Sequence, residues 1–234
     1  MIAAVVTAAG SSVRMGGLKK EYRPLEEGLL DDEGRPFSVL ASAVEPFLRH
    51  RGMGVVVLSV PRGGEERARE ALPRSFLREG QPVPLVFVEG GASRRASVHA
   101  ALRALAPFSP DLVLIHDGAR PWLDSALIDR VAEAARATGA AIPVLPLVET
   151  PKEIDGAGTV TRHLRRSEIV SAQTPQGFAF PEILDAHESA AVREREEGIE
   201  YTDDAEVWAD FGGTVATVAG SPRNRKITFP EDLS

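Results

Sequence analysis

The first place where this chain could do chemistry is a loop of small residues flanked by cations. The apolar run Ile2-Ala3-Ala4-Val5-Val6 flows into Thr7-Ala8-Ala9-Gly10-Ser11-Ser12, and Arg14, Lys19 and Lys20 follow. Small residues let a backbone approach a ligand closely and present its N–H groups. An arginine and lysines beside such a loop suit a polyphosphate. The plainer alternative is a strand-to-turn connection with solvated basic residues.

Three further clusters carry reactive side chains. His116-Asp117-Gly118-Ala119-Arg120-Pro121 puts a carboxylate at the end of an apolar run. A carboxylate there, over a phosphate loop, is well placed to hold Mg²⁺, which takes one or two protein carboxylates plus phosphate oxygens and water. Pairing of Asp117 with Arg120 is the competing use. His116 reads as a hydrogen-bonded structural residue rather than a catalyst. Glu89-Gly90-Gly91-Ala92-Ser93-Arg94 opens a helix, and its glycines would allow a planar base to approach the backbone. Ser97 could bond a base edge or simply sit on the first helical turn. Lys226 lies in Asn224-Arg225-Lys226-Ile227-Thr228, where period-two alternation gives a pocket side and a solvent side equal standing.

These clusters need elements to position them. Short Val/Ile-rich runs, apolar on both faces, predict strands at Ile2–Thr7, Val55–Val60, Val83–Val88, Leu112–Ile115 and Ala140–Val144. Helical patterns lie between them at Phe37–Leu48, Glu65–Leu72, Ser93–Leu105 and Ala126–Ala137, the last capped by Asp124 or Ser125. The alternation predicts an α/β fold with a mostly parallel sheet covered by helices on both faces. Ligands of such sheets bind outside the carboxyl ends of the strands, and the loops after the first, third and fourth strands are the ones that carry the reactive residues.

The alternation breaks at Glu149–Ser167, which is rich in Thr, Pro, Gly, Lys and Arg. A structureless loop of that length is uncommon inside a compact domain, so a hairpin arm around Asp155-Gly156-Ala157-Gly158 is expected, packing on a second subunit. A helix opened by Pro181 runs to about Glu196. A shorter helix at Asp203–Phe211 and strands near Thr214–Val218 and Lys226–Thr228 follow. Gly28–Arg35 reads as a surface loop.

Composition narrows the function. The chain has 234 residues, 43% hydrophobic and 26% charged, as expected of one soluble domain. A formal net charge of −7 argues against a nucleic-acid partner. No cysteine is present, so disulfides and thiolate metal sites are excluded, which fits a cytoplasmic protein. The leading apolar run is too short to span a membrane and has no basic stretch before it, so neither a membrane partner nor a signal peptide is expected. No Walker A loop, dinucleotide glycine fingerprint or G-x-S-x-G elbow is present, which removes kinase, dehydrogenase and serine-hydrolase readings.

Taken in order, the segments resemble the 2-C-methyl-D-erythritol 4-phosphate cytidylyltransferase family. The resemblance rests on Ala8-Ala9-Gly10, Arg14-Met15 and Lys20-Glu21-Tyr22, and on Gly90-Gly91 with Arg94 and Ser97-Val98. It continues through His116-Asp117-Gly118-Ala119-Arg120-Pro121, Pro146 to Lys152, Gln173-Thr174-Pro175-Gln176-Gly177-Phe178 and Thr202-Asp203-Asp204-Ala205. Asn224-Arg225-Lys226-Ile227-Thr228 and Pro230-Glu231-Asp232-Leu233 close it. Departures from the family pattern are Ala92 and Glu149 in place of Asp, Glu21 for Gln, Gly118 for Ala, Arg165 for the Asp before the arm arginine, and Arg225 for an apolar residue.

The resemblance implies a Rossmann-like nucleotidyltransferase fold in a single domain, 1–234, with a protruding dimerisation arm at about 148–168. It implies Mg²⁺-dependent cytidylyl transfer from CTP to a polyol phosphate, methylerythritol phosphate in non-mevalonate isoprenoid synthesis. Catalytic roles fall on Arg14, Lys20 and Lys226, and CTP binding on Ala8, Ala9, Gly10, Ser11, Gly90, Gly91, Ser97 and Asp117. Asp117 would also hold the metal. Acceptor binding falls on Asp117, Arg120, Thr174, Thr202 and Lys226, with Thr150 and Arg166 reaching the site of the partner in a homodimer. A ribitol 5-phosphate cytidylyltransferase would share the nucleotide loops and differ in the acceptor pocket. A non-catalytic nucleotide-binding subunit would bind CTP without turnover.

Overall fold

In the computed structural model, residues 1–10, 19–25 and 28–233 are described. Ser11 and Arg14, two of the expected site residues, lie outside them. The chain opens with β1 (Ile2–Thr7), α1 (Val39–Arg49), β2 (Met53–Val60), α2 (Glu65–Glu70), β3 (Leu85–Glu89), α3 (Arg94–Leu105), β4 (Leu112–Asp117), α4 (Ser125–Thr138) and β5 (Ala140–Pro146). Each expected strand and helix of this half is present, with small shifts at the bounds. Ser38, Ser93 and Asp124 cap α1, α3 and α4 by accepting the backbone N–H three residues on, which satisfies one of the donors a helix start leaves open.

The second half differs more from the pattern. β6 (Lys152–Ile154) and β7 (Val160–His163) form the separate antiparallel hairpin expected around Asp155–Gly158. Then come β8 (Val170–Ala172), β9 (Gln176–Ala179), α5 (Glu182–Glu197), α6 (Asp204–Asp210) and β10 (Ala216–Ala219). β8 and β9 are not evident in the sequence, because both are short and lie in polar surroundings. β9 nevertheless sits in the middle of the main sheet, whose order is β3-β2-β1-β4-β9-β5-β10, with β8 on β5. β8 and β9 run antiparallel to their neighbours and the other strands are parallel. Gly177 is required at the centre of β9: a Cβ there would stand 2.9 Å from Val131 Cγ1 of α4.

The strand expected near Lys226–Thr228 is not formed. Residues 224–229 instead make an extended strap across the carboxyl end of the sheet. Its backbone bonds run to the loop after β4, where Ile227 N–H donates to the Ala119 carbonyl at 2.8 Å, and not to a strand edge. Ile227 is fully buried against Leu25 and Val39, which anchors the strap.

Strand alternation divides the core. Ala4, Val6, Val56 and Leu58 pack under α1 and α4 on one face, with Leu40, Phe47, Leu127 and Val131. Ala3, Val5, Val55 and Val57 pack under α3, α5 and α6 on the other, with Val98, Leu102, Ile183 and Trp208. The first crossovers leave β1 toward β2 and the later ones return to its other side at β4. The switch point of the sheet therefore lies between β1 and β4, where an open α/β sheet has its ligand crevice. No helix among the described residues is long and apolar enough to cross a membrane.

Candidate active site at the switch point

Paired register brings Thr7 at the end of β1 level with Asp117 at the end of β4. The loops that leave these strands lie side by side, with Gly118 N–H donating to the Thr7 carbonyl at 2.9 Å. After β1, Ala8 N–H donates to the Ser59 carbonyl at 2.9 Å, and nothing among the described residues lies within 4 Å of where a Gly10 Cβ would stand. The Lys19 ammonium donates to the carbonyls of Ala8 and Gly10, tying the loop from behind, and its partial burial lowers its pKa. Gly90 closes against the same loop. A Cβ on it would stand 2.3 Å from Ala9 Cβ and 2.8 Å from Ser97 Oγ, so only glycine allows this approach. Gly91 is equally tight against Ala96. Ser97 donates to the Ser93 carbonyl at 2.8 Å, the first-turn use rather than an outward one.

Asp117 is the electrostatic centre. Lys226 Nζ donates to its Oδ2 at 2.8 Å, Arg120 Nε lies 3.6 Å from Oδ2, and Arg94 Nε lies 3.5 Å from Oδ1. Burial is the largest single influence on this carboxyl and opposes its ionisation. Arg94, Lys226 and Arg120 together outweigh burial and hold it well below the usual carboxylate range. Lys226 thus takes the pocket side of its strap. No hydrogen bond among the described residues reaches Asp117 Oδ1, whose cationic partner there is the more distant Arg94.

Beneath Asp117 runs a buried polar chain. Thr174 Oγ1 accepts the Asp117 N–H at 3.1 Å and lies 3.0 Å from His116 Nδ1, while His116 Nε2 lies 3.1 Å from the Arg120 carbonyl. A carbonyl can only accept, so Nε2 carries the ring proton and Nδ1 accepts from the Thr174 hydroxyl. Complete burial pushes the His116 pKa down to about 4, so the ring is neutral and fixes the loop. Arg120 donates to the Asn224 carbonyl at 2.9 Å, and Asn224 Nδ2 to the Thr174 carbonyl at 2.6 Å, joining the strap to the floor.

The remaining expected residues fall into two groups. Lys20 Nζ donates to the Ile227 carbonyl at 2.6 Å, beside Lys226 in sequence. Thr202 stands at the start of α6, with Oγ1 donating to Glu206 at 2.9 Å. Gln176 fixes that start by donating to Asp203 and accepting from Ala205 N–H. Thr150 and Arg166 lie in the exposed arm, where Arg166 donates to the Val148 carbonyl at 2.8 Å. Among the described residues, no contact joins either to Asp117. Within a single chain the structure brings Ala8, Gly10, Gly90, Asp117, Arg120, Thr174, Lys20 and Lys226 together and leaves these two apart.

Two residues escaped the sequence reading. Arg94 and Asp204 both sit inside recognised segments, yet neither received a role. Arg94 Nη2 donates to Asp204 Oδ2 at 2.8 Å, linking the starts of α3 and α6. A lone arginine after a glycine pair is a weak signal, and only the fold shows that its partner is 110 positions away.

The fit of this donor set to a divalent ion can be judged from Asp117 itself. One ionised carboxylate with an open Oδ1 suits Mg²⁺ when phosphates supply the other oxygens. No group of three or more His, Cys, Asp or Glu among the described residues would hold an ion unaided.

Comparison with known proteins adds to the geometry. The family description 2-C-methyl-D-erythritol 4-phosphate cytidylyltransferase matches residues 2–234. A bifunctional enzyme IspD/IspF of Rhodopseudomonas palustris is 42% identical over 233 residues, covering 99% of this chain and 54% of that protein. The chain thus spans about half the length of the curated relatives it matches. The 2-C-methyl-D-erythritol 4-phosphate cytidylyltransferase of Thermus thermophilus is 34% identical, with a TM-score of 0.70 over 98% of this chain and 94% of that one. The 4-diphosphocytidyl-2C-methyl-D-erythritol synthase of Anaerococcus prevotii is 28% identical, with a TM-score of 0.80 over 99% and 92%.

Proposed function

The chain belongs to the 2-C-methyl-D-erythritol 4-phosphate cytidylyltransferase family, and we propose that it transfers a cytidylyl group from CTP to 2-C-methyl-D-erythritol 4-phosphate. A phosphate oxygen of the acceptor attacks the α-phosphorus of CTP. The bond from that phosphorus to the bridging oxygen breaks, and pyrophosphate leaves with the electron pair. The observation that carries this reading is one carboxylate among three cations at the sheet's switch point, facing a loop of small residues.

Catalysis then comes from positioning and charge stabilisation, without a covalent intermediate. Arg14 and Lys20 meet the charge that develops on the α-phosphate and the leaving pyrophosphate. The backbone at Ala8, Ala9, Gly10 and Ser11 lies along the nucleotide, and Gly90, Gly91 and Ser97 border the base. Asp117 would hold Mg²⁺, which when bound neutralises phosphate charge and orients the α-phosphate. Lys226 neutralises Asp117 until phosphate enters and then contacts phosphate. Arg120, Thr174 and Thr202 bind the acceptor.

The whole chain, 1–234, acts as one catalytic domain in a homodimer, with Thr150 and Arg166 of each arm completing the partner's site. Support for the dimer comes from the apolar surface of the arm region, where Val148 is 82% exposed and Ile154 61%. A cytoplasmic setting suits a chain without cysteine.

The test is pyrophosphate release with CTP and Mg²⁺, comparing methylerythritol 4-phosphate with ribitol 5-phosphate. Turnover with the first alone is expected. Turnover with the second alone would keep the chemistry and replace the acceptor. Silence with both, in folded protein that binds CTP, would overturn the reading.

A further inference from the structure

Arg94 stands between two carboxylates and is shared unequally. Nη2 donates to Asp204 Oδ2 at 2.8 Å, a charge-assisted hydrogen bond. Nε lies 3.5 Å from Asp117 Oδ1 and makes no hydrogen bond there. The other oxygen of Asp117 is occupied by Lys226. Among the described residues, Arg94 is therefore the cation nearest to the one open oxygen of the central carboxylate.

Asp204 is built to hold it. Its side chain is fully buried at the start of α6, where an uncompensated charge would be costly. Among the described residues, Arg94 is the one arginine or lysine paired with it. Its other oxygen faces His187 Nε2 at 3.3 Å, and His187 is also fully buried. Asp203 already has other work, its two oxygens accepting from Glu206 N–H and Gln176 Nε2, and no ion pair joins it to Arg94 among the described residues. The guanidinium has N–H groups for both carboxylates, and its short bond goes to Asp204 while the approach to Asp117 stays long. If Asp204 lost its charge, Asp117 would be the carboxylate still ion-paired with Arg94 among the described residues.

We propose that Asp204 is a positioning residue that holds the Arg94 guanidinium back from Asp117, keeping Oδ1 open to the divalent cation that arrives with the nucleotide. The inference rests on the cytidylyl-transfer reading above. It gives the burial of Asp204 a function that packing alone does not: the buried charge decides where a neighbouring arginine points. The same ion pair braces the nucleotide-side start of α3 against the acceptor-side start of α6.

The test uses the full chain and Mn²⁺ as a paramagnetic probe, measuring its binding to the CTP complex by electron paramagnetic resonance alongside turnover. Asp204→Asn keeps the shape of the side chain and removes the charge. It is expected to weaken Mn²⁺ binding about fivefold or more, as moving one positive charge onto the ion's ligand would do. Arg94→Gln combined with Asp204→Asn is expected to restore binding to the original level or better, an outcome that damage to packing would not produce. Unchanged Mn²⁺ affinity in Asp204→Asn, or no rescue in the double variant, would overturn the inference. If Asp204→Asn does not fold, Arg94→Gln alone decides: tighter Mn²⁺ binding supports the inference, and unchanged or weaker binding overturns it. Failure of the unsubstituted protein to bind Mn²⁺ with CTP would instead count against the cytidylyl-transfer reading.

Discussion

Lys226 donates to Asp117 at 2.8 Å although 109 positions separate them. The pair closes the site from two directions. Asp117 ends a buried strand, and Lys226 comes from a strap that crosses the strand ends. The strap is pinned by Ile227 beneath it and by Arg225, whose guanidinium carbon sits 4.1 Å from the centre of the Trp122 ring. Arg225, which departs from the family pattern, thus stacks on a ring that also packs against the Ile227 cluster.

Replacing Lys226 by Ala is expected to lower kcat by about 10²- to 10³-fold, the scale of removing one aligned cation or donor from a developing phosphate charge. The melting temperature should fall only modestly, because Arg94 and Arg120 still face the buried Asp117 carboxylate when the partly exposed ammonium is gone. Steady-state pyrophosphate release and a thermal melt on the same preparation check both halves. A large drop in melting temperature would show that Lys226 is chiefly structural.

Gly90→Ala should weaken CTP binding about tenfold or more, since an added methyl in a tight contact costs roughly 1–3 kcal/mol. Its Cβ would force Ala9 and Ser97 apart and shift the loop that faces the nucleotide. Gly10→Ala is the matched control for folding. Among the described residues its Cβ meets no atom within 4 Å, so stability should stay within about 0.5 kcal/mol. Calorimetric titration of CTP for Gly90→Ala and thermal melts for both variants provide the measurements.

His116 makes folding stability depend on pH. Burial lowers its pKa from 6.5 to about 4, so between these values the unfolded chain binds a proton that the folded chain refuses. Stability therefore falls as pH drops from 6.5 toward 4, by roughly 3 kcal/mol at most from this group. Asp117, also depressed, adds its loss only at lower pH, as it is protonated. His116→Gln should flatten the melting profile between pH 6.5 and 4, and an unchanged slope would assign the loss elsewhere.

Subunit mixing tests the arm. Lys226→Ala spoils a chain's own site, and Arg166→Ala spoils the arm it lends. If each arm completes its partner's site, mixing the two inactive proteins restores about a quarter of the original activity, because half the dimers carry one sound site. An acidic residue at Ile154, 61% exposed on the hairpin, should shift the protein toward monomers in analytical ultracentrifugation. No recovery on mixing would place Thr150 and Arg166 outside the partner's site.

The apolar strands and the capped helices were legible because each is set by local pattern: a buried strand needs a continuous run of Val and Ile, and a helix start needs a residue such as Ser93 or Asp124 to accept its open N–H groups. The same patterning located the reactive loops after the strands, and family resemblance supplied their expected roles. Three things only the fold decided. β9 lacks a strand's composition and exists because β4 and β5 leave a gap that its backbone fills from both sides. The side of the strap that Lys226 takes follows from Ile227 burying itself and bonding to Ala119, where alternation alone gave even choices. The division of Arg94 between Asp117 and Asp204 depends on charges far apart in sequence and near in space, and a Coulomb interaction is set by that distance rather than by position along the chain.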